Sequence, residues 1–133
     1  MLQRTHGPRR RTTAFAAAAA SVTAMTLASA APAPAAPRTT PVYVWASDVN
    51  MRTCSSVSCP KLGDHIRITR MTVNAHCQER GDTVRDGPYV NDWWLKVEAG
   101  GPVGWISGVF VRGGNNWEPI PGVSQNWDDC HQF

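Results

Sequence analysis

Four cysteines in a short chain limit this fold more than any other feature. Cys54, Cys59, Cys77 and Cys130 all lie in the C-terminal part of a 133-residue sequence. The residues before them, 1–36, read as a secretory leader. Arg4, Arg9, Arg10 and Arg11 give a positive start, and Ala14 to Leu27 carries no charge. The small residues of 28–36 form a cleavage region. The apolar run is shorter than the roughly 20 residues that a membrane span requires. Export places the thiols in an oxidising compartment, where an even number of cysteines in a small domain reads as two disulfides. Four cysteines allow three connectivities. The close spacing of the first pair favours Cys54–Cys59, with Cys77–Cys130 as its complement. In the chain-entropy picture the short loop is worth about 2 kcal/mol and the long one about 4 kcal/mol.

The leader also changes the meaning of the charge. The whole chain has 13 Lys+Arg against 10 Asp+Glu, a net charge of +3. Four of the arginines lie in the leader and no acid does, so residues 37–133 carry nine bases against ten acids, a net −1. No basic surface argues for nucleic acid or for an anionic membrane. The remaining chain, about 97 residues, makes one domain. A domain of that size buries a modest share of its surface, so covalent staples matter to it.

Ala31 to Pro41 is Pro/Ala-rich, and its last part, 37–41, reads as a flexible start from which the strand signals follow. Val42 to Trp45 is β-branched and aromatic. Val49 to Arg52, Ile66 to Thr69, and Met71 to Cys77 each alternate apolar and polar residues, the period of a half-buried strand. In the last of these, Met71, Val73, Ala75 and Cys77 share a face. Glu79 to Pro88 reads as a polar hairpin or loop. Trp93 to Val97 and Val103 to Ile106 form a hairpin about Ala99–Pro102, and Val109 to Val111 closes the set. Five or six short strands with regular turns give an all-β barrel or sandwich over 42–112. The tail, 113–133, is expected to be irregular and tied by a disulfide.

Three motifs in order resemble the bacterial SH3-like family. Val49-Asn50-Met51-Arg52 is similar to its opening Val-Asn-Val-Arg motif. Trp94-Leu95-Lys96-Val97 is similar to its Trp-x-Lys-Val strand. Gly104-Trp105-Ile106-Ser107 with Val109-Phe110-Val111 is similar to its closing Gly-Trp-Val and Tyr/Phe-Val pair. The likeness covers Val42 to Arg112, and the Cys54/Cys59 loop resembles secreted actinobacterial members. Thr69-Arg70 stands where the family has a glycine, and the 81–91 connection is longer than usual. The resemblance implies a small, disulfide-stapled SH3-like β-barrel of five to six short strands. It also implies recognition of cell-wall peptide or another extracellular partner.

Six tryptophans are many for such a domain. Trp105 reads as core, and Trp117 and Trp127 as caps of the barrel or fasteners of the tail. The neighbours Trp93 and Trp94 point to opposite faces of a strand. An exposed one beside Tyr89 and Tyr43 would make an aromatic groove suited to extended peptides. Tyr89 and Trp93 are therefore the expected stacking residues. Asn50 and Arg52 share a strand face and are the expected polar positioners, Arg suiting a ligand carboxylate.

Catalysis has less support. All four thiols are expected to be paired, and Asp82, Asp86 and Asp92 fit a solvated turn. Neither His76/Cys77 nor Asp128 to His131 has metal-ligand spacing. The expected function is a secreted, non-catalytic binding module without a cofactor, recognising cell-wall peptide or another extended extracellular peptide. A secreted effector or inhibitor that binds another protein is the alternative, and a small cell-wall hydrolase the third.

Overall fold

Alternation of valines with larger polar or aromatic residues sets the first strand: Val42 and Val44 are buried, while Tyr43 and Trp45 are half-exposed. The computed structural model describes residues 16–24, 27–33 and 38–132. The chain divides into two units, Met1–Ala33 and Pro34–Phe133. In the first, the described residues are exposed and form neither helix nor strand. The charged start of the leader, Met25, and the small residues 34–36 lie outside the described residues, as do Pro37 and Phe133. No helix among the described residues is long and apolar enough to cross a membrane.

The second unit is mostly β. Its strands are β1 (Thr40–Val44), β2 (Val49–Asn50), β3 (Arg67–Ile68), β4 (Met71–Asp86), β5 (Tyr89–Glu98) and β6 (Val103–Ser107). A 3-10 turn, Gly108–Phe110, follows β6, and a short helix α1, Trp127–His131, ends the fold. One antiparallel sheet has the order β1-β4-β5-β6, and β2 pairs with β3 in a second. The expected barrel is not closed by continuous ladders. Single bridges join Val44 to Val111 and Arg52 to Trp105. The 3-10 turn, in place of the expected strand at Val109–Val111, stops β6 from pairing along β1.

Of the two readings of residues 79–88 the hairpin is the one that forms, because β4 and β5 turn tightly through Gly87 and Pro88 alone. Gly87 adopts φ 57°, a conformation that suits glycine in a two-residue hairpin loop. Two further expectations are corrected. The face shared by Met71 to Cys77 is broken at a register shift between Ala75 and Cys77, since an inserted residue swaps the sides of a strand. Ala75 therefore joins the main core, while Cys77 packs in a second cluster. The flexible start yields Thr40 and Pro41 to β1.

The main core holds Val44, Met51, Ile68, Leu95, Val97 and Ile106, each at most 1 % exposed. Alternation along β5 turns Trp94 the other way, onto Cys77, Trp105 and Cys130. The disulfides are Cys54–Cys59 and Cys77–Cys130. The tail is not held by sulfur alone. Gln78, 1 % exposed, donates from Nε2 to the carbonyls of Ile120 (2.8 Å) and Val123 (2.9 Å). Its Oε1 accepts the Ile120 N–H at 2.7 Å. Ile120 and Val123 complete the main core, so one buried amide satisfies the backbone that these two residues carry inside with them.

Arg70, in the turn before β4, adopts φ 43°. Its N–H donates to Ala46 O at 3.0 Å, and its side chain is exposed. A left-handed conformation costs an L-residue about 1 kcal/mol, more than glycine loses through its freer unfolded chain. Arg70→Gly is expected to stabilise the domain by about 0.5 kcal/mol. Urea denaturation at constant slope would read the gain, and a lower midpoint would contradict it.

Candidate ligand-binding clefts

Two clefts lie on either side of the 3-10 turn. The first, about 280 Å³, is lined by Trp45, Tyr89, Val90 and the chain from Val111 to Asn116. Trp45 follows β1 directly, and its Nε1 donates to Val109 O at 3.2 Å, fixing the indole against the turn. The Tyr89 ring, on a residue 53 % exposed at the start of β5, sits 5.6 Å from Trp45 at 59°. Opposite it, Asn116 accepts the Val90 N–H at 3.0 Å and donates to Pro88 O at 3.1 Å. Gly113 and Gly114 form part of the rim. A side chain at Gly114 would strike Ile120 Cδ1 at 2.6 Å.

The second cleft, about 180 Å³, is lined by Asp48, Asn50, Arg52, Val57, Trp94, Ser107 and Phe110, among others. Asn50 and Arg52 enter it from one side of their segment, as the alternation of side chains requires. The Arg52 backbone exchanges hydrogen bonds with Trp105, at 2.9 and 2.8 Å. Its Nη1 donates to Cys59 O at 2.9 Å. The Asn50 Oδ1 is buried and has no hydrogen-bond partner among the described residues. Val57 belongs to the Cys54–Cys59 loop, which Asp82 clasps: its carboxylate accepts Ser56 Oγ at 2.6 Å and the Val57 N–H at 3.0 Å. These bonds, the Ser56 hydroxyl first, hold the Asp82 carboxyl below its ordinary value. The clasp is complete above the ordinary carboxylate range and is lost as pH falls through the lowered value.

Phe110 joins the two clefts. Its ring lies 6.5 Å from Trp45, so Tyr89, Trp45 and Phe110 form a continuous aromatic row. Asn50 and Arg52 are thus brought together, and Tyr89 lies at the other end of the row. Trp93 lines neither cleft. It is half-buried, with the Arg80 guanidinium 5.1 Å above its ring and its Nε1 enclosed without an acceptor among the described residues. Tyr43 also stands apart, under the Arg112 guanidinium at 4.5 Å. Trp45 and Phe110 were not singled out by sequence. The signal for Trp45 was the alternation that buries Val42 and Val44 and turns Tyr43 and Trp45 outward.

Of the remaining tryptophans, Trp105 is buried as expected, in the second cluster. Trp117 and Trp127 are 47 % and 67 % exposed, so neither caps the core. Trp127 stacks on His131 at 4.1 Å, one turn further along α1. Among the described residues no group of three His, Cys, Asp or Glu is placed to hold a metal ion. No protein-family model, curated protein or solved structure matches the chain.

Proposed function

We propose that this is a secreted, non-catalytic binding module of the bacterial SH3-like type, which takes an extended peptide of the cell wall along the row Tyr89–Trp45–Phe110. The single observation that carries the reading is that row, with ring separations of 5.6 and 6.5 Å and open clefts on both sides of it. This spacing is close to the roughly 6.6 Å between alternate, same-face residues of an extended chain, which buries apolar surface on the rings while its own backbone stays solvated. Trp45 is held by its hydrogen bond to Val109 O, so stacking on it costs little ordering. The two disulfides fit an oxidising compartment, and the three sequence motifs support the family.

Sedimentation with purified peptidoglycan, and titration with its stem peptide, test the proposal. Tyr89→Ala is expected to weaken binding about tenfold, the upper end of what one aromatic contact supplies. Its melting temperature should stay within about 2 °C of wild type, because an exposed residue contributes little to stability. Absence of binding by the wild type, or equal binding by the variant, would end this reading.

A further inference from the structure

We infer that the second cleft receives the free C-terminal carboxylate of the bound peptide, a step that rests on the reading above and gives the ligand a direction. Arg52 is the cation lining this cleft. It forms no ion pair among the described residues, and its one side-chain hydrogen bond runs to a neutral carbonyl, Cys59 O at 2.9 Å. That bond anchors the guanidinium, which keeps further N–H groups for an acceptor entering the cleft. A half-buried Arg held in place without an acid is poised for a carboxylate, whose two oxygens match its fork.

Asn50 adds an independent observation. It lines the same cleft, and its buried Oδ1 has no partner among the described residues. Buried polar groups in native folds are rarely left so, and each one that is asks for a reason. A half-turn of the amide presents either its N–H groups to the carboxylate or its oxygen to the last peptide N–H. Asp48 also lines the cleft, four residues before Arg52 in the chain. A carboxylate is thus drawn to the Arg52 end and repelled from the Asp48 end. The ligand then runs from Tyr89 over Trp45 and Phe110, and its C-terminus lies at Arg52.

The test compares one synthetic stem pentapeptide in two forms, the free acid and the C-terminal carboxamide, by calorimetric titration of the oxidised protein. The free acid is expected to bind at least about tenfold more tightly, as a charged hydrogen-bonded pair requires. Arg52→Gln should bring the two forms within about twofold of each other. Because Arg52 also supports the Cys54–Cys59 loop, Asn50→Asp provides a second measure. It keeps the side-chain shape, adds a negative charge, and should make the carboxamide the better ligand. Equal binding of both forms by the wild type would overturn the carboxylate site while leaving the aromatic row in place. Preference for the acid that survives in both variants would also overturn it. Binding of neither form would remove this inference and the reading beneath it together.

Discussion

Replacing Cys77 and Cys130 by alanine is expected to lower stability by about 4 kcal/mol, roughly twice the loss on removing the short bridge. The two sulfurs join positions 53 residues apart, so the bond removes a large loop-closure entropy from the unfolded chain. It also presses α1 against the second face of the sheet, where Cys130 completes a cluster with Trp94 and Trp105. Lys96 donates from Nζ to Cys130 O at 2.8 Å, a bond that depends on the helix staying docked. The tail should not leave as a whole. Gln78 clamps it at Ile120 and Val123, and the Gln78 N–H is bonded to Ser124 O at 2.7 Å. Hydrogen exchange should therefore speed up over 126–132 and stay slow around 120–124. For a domain this size the melting temperature should fall by about 20 °C. A loss no larger than that of the Cys54→Ala/Cys59→Ala variant would show that the unfolded chain, not the tail, had been misjudged.

Which parts of this fold could be read in advance follows from what each signal measures. The β-branched and aromatic run Val42–Trp45 and the alternating Trp93–Val97 both formed strands, but in the second both faces are covered, Leu95 and Val97 by the main core and Trp94 by the second cluster. The hairpin about Gly100 and Gly101 was legible because both glycines take positive φ. Alternation cannot announce where it will break. The register shift at Ala75/Cys77 rests on a pairing with Val97 and Lys96 that lies about twenty residues on in the chain. The polar run 79–86 left hairpin and loop both open because its side chains are mostly exposed. A hairpin that projects from the sheet has the same composition as a loop. The candidate site was legible in part for a similar reason. Asn50 and Arg52 are two apart in one segment, so sequence places them together. Tyr89, Trp45 and Phe110 meet across three separate segments, and that meeting is a property of the fold alone.

Gly81→Ala is expected to cost about 3 kcal/mol, the upper end of what overpacking a small core does. The effect does not come from backbone conformation, since Gly81 is not among the positive-φ glycines. It comes from space. A Cβ at this position would overlap the carbonyl oxygen of Ser55 and stand 2.8 Å from Trp94 Cδ1. Neither neighbour can withdraw. Trp94 is 2 % exposed, and its Nε1 donates to Asp82 O at 2.8 Å. Ser55 belongs to a loop closed by Cys54–Cys59, clasped by Asp82, and tied by Ser55 Oγ to Glu79 at 2.9 Å. The Asp82 N–H adds a bond to Ser55 O at 3.2 Å. Gly87→Ala is the matching control, because nothing lies near its Cβ and only its φ of 57° opposes a side chain. It should cost about 1 kcal/mol. The cause can be isolated by repeating Gly81→Ala in the Cys54→Ala/Cys59→Ala background. An opened loop can yield to the new methyl group, so the penalty should fall to about half. If it stays whole, Trp94 rather than the loop is the wall that the glycine accommodates.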